Sequence, residues 1–195
     1  KGNYGHLLVI AGSPGKTGAA ALACLGALRM GTGLVTLGIP ASLNPIMEVK
    51  LTEAMTEPLP ETDAGTFSRS SLDAILQLLE GKDALALGPG LSQHPETQEL
   101  VRQIILRSPV PCVVDADGLN AMVGHLEALK KRNGGPLALT PHPGEMARLL
   151  NSTTDSVQKD RLTTARSFAR DNNVHTVLKG ARTLVASPDG AVSIN

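Results

Sequence analysis

The stretch Leu7-Leu8-Val9-Ile10-Ala11-Gly12-Ser13-Pro14-Gly15-Lys16-Thr17-Gly18-Ala19-Ala20 decides the fold class. A short unbroken apolar run ends in a glycine-rich turn and passes into a helix of small residues, Ala19–Met30. The pattern then repeats along the chain. Apolar runs at Leu34–Ile39, Ala84–Leu87, Cys112–Val114, Leu137–Leu139, Thr176–Leu178 and Thr183–Ala186 alternate with helical stretches at Ser70–Leu79, Glu96–Arg107, Leu119–Lys130, Gly144–Leu150 and Ser156–Asp171. Near-continuous apolar strands alternating with helices predict an α/β protein with a mainly parallel sheet covered on both faces. The segment Val174–Ile194 differs, because Ser187-Pro188-Asp189-Gly190 is a turn between two strands and predicts a β-hairpin at the sheet edge.

The 195 residues fit one domain with a substantial core, and no repeat or low-complexity linker suggests a boundary within 1–195. Eighteen basic residues balance eighteen acidic ones, and no basic stripe invites nucleic acid. The longest uncharged stretch, Met30–Met47, is broken by glycines and prolines and cannot span a membrane. Cys24 and Cys112 lack metal or redox spacing and read as reduced, buried thiols of a cytoplasmic protein. The chain opens at Lys1 without a methionine or signal peptide and stops at Asn195 inside a strand or turn, so both ends read as cut.

In a parallel α/β sheet, ligands bind beyond the carboxyl ends of the strands. The residues there are Gly12 to Gly18, Gly88-Pro89-Gly90, Asp115-Ala116-Asp117-Gly118, Thr140-Pro141-His142-Pro143-Gly144-Glu145 and Lys179-Gly180-Ala181-Arg182. Gly15-Lys16-Thr17 is no P-loop, since Ile10 stands where the first glycine is required. Gly88-Pro89-Gly90 is no dinucleotide fingerprint, since Gln93 replaces the third glycine. What survives is a glycine-rich turn able to show backbone N–H groups to an anion. Ala19 and Ala20 serve helix packing or a bound ring. Asp115 suits magnesium or a substrate hydroxyl, whereas Asp117 equally suits a helix cap. His142 lies between two prolines that restrict the backbone, so it is held stiffly at this edge. Lys179 beside Gly180 can meet a phosphate or simply be solvated.

Taken in order, these motifs together with Lys1-Gly2-x-Tyr4-Gly5 resemble the ribokinase-like family and, within it, the ADP/ATP-dependent NAD(P)H-hydrate dehydratases, across essentially the whole chain. The resemblance implies a three-layer α/β/α ribokinase-like fold. It implies a nicotinamide-nucleotide repair enzyme: NADH or NADPH that has gained water is phosphorylated by ADP or ATP on the new hydroxyl, and loss of phosphate restores the ring. It implies Ala19, Ala20, Gly88, Gly90 and His142 against the hydrate. Lys179, Gly180, Ala181, Arg182 and Thr183 would hold the nucleotide, and Asp115 and Glu145 would organise Mg2+ or its waters. It also implies a cytoplasmic homotetramer. In other ribokinase-like kinases an asparagine takes the place of His142.

In this family the catalytic aspartate follows an Asn-Pro-Thr-Gly strand end, which would begin at Asn195. By the resemblance, residues 1–195 are an incomplete dehydratase domain that binds but does not turn over, and His142→Ala weakens hydrate binding with little effect on stability. The alternatives are a kinase of a small vitamin precursor on the same fold and a non-catalytic nucleotide-binding module.

Overall fold

The computed structural model describes residues 2–195; Lys1 of the opening motif lies outside them. Among the described residues the strands form a nine-stranded sheet, most of them from the apolar runs. Its members are β1 (His6–Ile10), β2 (Leu34–Pro40), β3 (Met55–Leu59), β4 (Ala84–Leu87), β5 (Cys112–Val114), β6 (Leu137–Leu139), β7 (His175–Leu178), β8 (Leu184–Ala186) and β9 (Val192–Ile194). The order is β3-β2-β1-β4-β5-β6-β7-β8-β9. Strands β1 to β7 are mutually parallel. Strands β8 and β9 run antiparallel to their neighbours, and Gly190 N–H closes the hairpin on the Ser187 carbonyl. Strand order reverses between β1 and β4, which opens a crevice between the loops that leave them.

Among the described residues eight α-helices flank the sheet: α1 (Thr17–Arg29), α2 (Asn44–Lys50), α3 (Leu72–Leu78), α4 (Pro95–Arg107), α5 (Asp117–Asn120), α6 (Pro143–Leu149), α7 (Thr154–Lys159) and α8 (Arg161–Asn172). Alternate strand residues face opposite sides, so the apolar side chains separate into two cores. Leu8, Ile10, Leu85, Leu87, Val114, Leu139 and Leu178 pack under α3, α4, α6 and α8. Val9, Ala11, Val35, Leu37 and Ile39 pack under α1 and α2. That second face is covered over β1 and β2, while Val113 on β5 and Val185 on β8 stay 46% and 40% exposed.

Four elements depart from the pattern reading. Strand β3 and helix α2 escape it, because Met55-Thr-Glu-Pro-Leu59 is an edge strand with one buried residue. The helix expected over Leu119–Lys130 is the four-residue α5, a turn through Gly124 and a 3-10 segment at Leu126–Lys131. Ser156–Asp171 divides at Asp160, whose side chain accepts from Thr163 N–H and starts α8 afresh.

Cys24 and Cys112 are free and buried, as expected. Burial pushes both thiols up to about 12. Among the described residues no helix is long and apolar enough to cross a membrane.

Candidate active site

The residues that follow β1, β4, β5, β6 and β7 meet at one edge of the sheet. Its first half is built from backbone. Gly12 N–H donates to the Pro89 carbonyl, and the buried Ser13 Oγ donates to the Gly90 carbonyl at 2.7 Å. These bonds lash the glycine-rich turn to the loop after β4. Gly88 has φ +129°, and a Cβ there would lie 1.9 Å from the Asp115 carbonyl oxygen. Only glycine allows the loops after β4 and β5 to touch here. Ala19 stands beside Gly90, whereas Ala20 is wholly buried beneath Gly12 and offers no surface to a ligand, so the expected contact of Ala20 with the hydrate is corrected to a packing role.

The loop after β5 joins this half to the next. Ala116 adopts φ +51° and ψ −120°, a strained backbone for a residue with a Cβ. The kink sends its two neighbouring aspartates to different partners. Asp117 does not cap α5. Its Oδ2 accepts from Ser92 N–H at 2.9 Å and Lys16 Nζ at 3.1 Å, and its Oδ1 accepts from Asn120 Nδ2. Lys16 thereby bridges the turn after β1 to the loop after β5, a role that its failed P-loop context did not suggest.

Asp115 turns the other way and begins the charged half. Its Oδ1 accepts from Lys179 Nζ at 2.6 Å. The same ammonium stands 3.7 Å from Glu145 Oε2. Glu145 is only 7% exposed at its side chain, and its Oε2 also accepts from the His142 backbone N–H at 2.8 Å. His142 is the N-cap of α6. Its Nδ1 accepts from Gly144 N–H at 3.0 Å and Glu145 N–H at 3.3 Å, which completes a reciprocal capping box. With Nδ1 accepting, the neutral ring carries its proton on Nε2, which lies 3.5 Å from Glu145 Oε1. A histidine does here what serine or aspartate does at most helix starts. The ring thus holds two backbone donors of α6, so His142 supports the start of this helix as well as standing at the sheet edge.

Of the candidate residues, Asp115, His142, Glu145 and Lys179 form one connected cluster, and Ala19, Gly88 and Gly90 line the adjoining crevice. Gly180, Ala181 and Arg182 form an exposed turn beside them, closed by Thr183 Oγ1 donating to the Gly180 carbonyl. Asp115 and Glu145 share a lysine, and among the described residues no cluster of three or more metal-binding side chains occurs. The arrangement can bind an anionic, polyhydroxylated ligand across the crevice and orient it with fixed donors.

Comparisons with known proteins show which family the chain is similar to. A family model described as NAD(P)H-hydrate dehydratase matches residues 7–195. The bifunctional NAD(P)H-hydrate repair enzyme of Moorella thermoacetica is 51% identical over 195 residues, which is 100% of this chain and 37% of that protein. The crystal structure of the Bacillus subtilis ADP/ATP-dependent NAD(P)H-hydrate dehydratase, co-crystallised with ATP/Mg2+ and soaked with CoA, superposes with a TM-score of 0.75 at 32% identity. It covers 100% of this chain and 66% of that one. A ribokinase-like superfamily protein from Enterococcus faecalis gives a TM-score of 0.76 at 18% identity, over 99% of this chain and 63% of its own, and speaks for the fold alone. The chain thus spans little more than a third of the bifunctional relative and about two thirds of the solved enzyme. With a ribokinase-like α/β sheet and a family match across 7–195, this chain belongs to the NAD(P)H-hydrate dehydratase family.

Proposed function

We propose that this chain carries the ligand-binding surface for ADP- or ATP-dependent dehydration of NADH or NADPH hydrate. The observation that supports this most is the cluster in which Lys179 joins Asp115 to Glu145 while Glu145 holds His142. His142 Nε2 is a half-exposed donor of fixed tautomer, suited to an oxygen of the hydrated nicotinamide part. Ala19, Gly88 and Gly90 are small residues gathered where the loops after β1 and β4 meet, and they suit the close approach of a flat nucleotide. Helix α1 begins beside them and favours the ligand's anionic groups.

The nucleotide takes the turn Lys179 to Thr183, where backbone N–H groups can receive its phosphates. Phosphoryl transfer to the hydrate's hydroxyl is a matter of positioning and charge neutralisation. Mg2+ neutralises phosphate charge when bound. It coordinates phosphate and water oxygens more readily than a full protein cage, so two carboxylates already shared with Lys179 suit contact through water. Asp115, Asp117 and Glu145 are all engaged by cations or backbone donors. The base that removes the hydroxyl proton is accordingly assigned to none of the three.

Calorimetric titration of the chain with Mg-ADP, and separately with NADH hydrate, tests the reading. Saturable binding of both is expected, with no ADP-dependent recovery of NADH absorbance by residues 1–195 alone. Failure to bind either ligand, or phosphorylation of a pyrimidine or thiazole alcohol, would overturn it. Homotetrameric assembly and a cytoplasmic location are carried by the resemblance and by the two free buried thiols; light scattering on the purified chain reads the first.

A further inference from the structure

The turn between β7 and β8 is held from behind by a residue that no motif contains. Arg161, the first residue of α8, donates from Nη1 to the Ala181 carbonyl at 2.7 Å and from Nη2 to the Leu178 and Lys179 carbonyls at 3.0 and 3.2 Å. The Gly180 carbonyl is taken by Thr183 Oγ1. The carbonyls of four consecutive residues, Leu178 to Ala181, therefore have partners within the protein. In a trans peptide the N–H points opposite to the carbonyl of the same plane. Fixing the carbonyls of Lys179, Gly180 and Ala181 thus turns the N–H groups of Gly180, Ala181 and Arg182 outward. None of those three N–H groups has an acceptor among the described residues. Gly180 has φ +146°, and a Cβ there would lie 2.9 Å from Arg161 Nη2, so the guanidinium lies tight against bare backbone.

We propose that Arg161 is a positioning residue for the phosphates of the nucleotide, a role that rests on the reading of Lys179 to Thr183 as the nucleotide's seat. Its planar fork spans three carbonyls at once and presets a row of outward N–H groups, a concave seat for phosphate oxygens. Lysine, with one compact ammonium, cannot bridge the same three acceptors.

The test compares the wild-type chain with Arg161→Lys and Arg161→Ala, titrating Mg-ADP and, separately, adenosine, which lacks phosphate. Thermal melts identify the folded fraction. Folded Arg161→Lys should bind Mg-ADP about tenfold more weakly or worse, with adenosine affinity unchanged. Free guanidinium ion at low concentration should restore ADP affinity to Arg161→Ala, and ammonium should not. The inference is overturned if folded Arg161→Lys keeps ADP affinity within about twofold of wild type, or if ADP and adenosine affinities fall together. If the wild-type chain itself binds no ADP, the nucleotide seat falls and the role of Arg161 falls with it.

Discussion

The two halves of the active edge are made of different materials. Between β1, β4 and β5 the site is a shape: Gly88 and Gly90 let loops touch, and backbone bonds such as Gly12 N–H to Pro89 hold them. Between β5, β6 and β7 it is a charge arrangement: Asp115, Lys179, Glu145 and His142 hold one another through side chains. A shape breaks when an atom is added, and a charge arrangement breaks when a partner is removed. Ala116 is the joint between them, and its strained φ divides Asp115 from Asp117.

The largest effect is expected at Gly88. Gly88→Ala places a methyl 1.9 Å from a carbonyl oxygen at positive φ, so folding should fail or lose more than about 3 kcal/mol in a urea melt. Gly15→Ala also has positive φ but meets nothing within 4 Å, and should cost only about 1 kcal/mol. Equal losses at the two glycines would mean that close approach does not shape the first half.

Lys179→Met tests the second half. It leaves Asp115 without its lysine and Glu145, buried at the side chain, with only the backbone N–H and ring Nε2 of His142 beside it. The pair to Asp115 is partly solvated, so about 1–2 kcal/mol of stability should be lost, along with Mg-ADP binding. Unchanged ADP affinity would show that the cluster is structural only.

His142 separates the two kinds of role within one residue. His142→Ala should lose about 1 kcal/mol through the cap and also weaken binding of NADH hydrate. His142→Asn should regain most of the cap energy without restoring the Nε2 donor. Hydrate affinity that recovers with stability would make the ring a cap and nothing more.

Relief of strain at the joint should be smaller and of opposite sign. Ala116→Gly is expected to raise stability by up to about 1 kcal/mol, read as a small rise in Tm. The smallest effect lies at the opposite edge, on His6. Burial there, with Lys82 nearby, holds its pKa below the ordinary value. The unfolded chain therefore binds the proton more readily, and stability should decline slightly as pH falls below about 6.5. His6→Gln should flatten that slope, and a wild-type melt independent of pH in this range would contradict the assignment.

The sequence by itself determined the parallel sheet, the C-terminal hairpin and the edge where the candidate residues gather. Apolar runs of strand length ending in glycine or charge report burial and chain reversal locally, and both are written in adjacent residues. It also pointed to His142, because the prolines on either side constrain its backbone, and to Lys179, because the glycine beside it leaves a bare N–H next to a point charge. It left β3 and α2 unread, since an edge strand with one buried residue has little periodicity, and it merged α7 with α8 across Asp160. Only the tertiary structure decided who pairs with whom: Lys16 with Asp117 across 101 positions, Lys179 with Asp115 across 64, and Arg161 with a turn up to 20 positions away. It also decided that alanine, with no local signal, takes the strained turn at 116. Such pairings depend on strand order and on where loops converge in space, and no pattern confined to neighbouring residues carries that geometry.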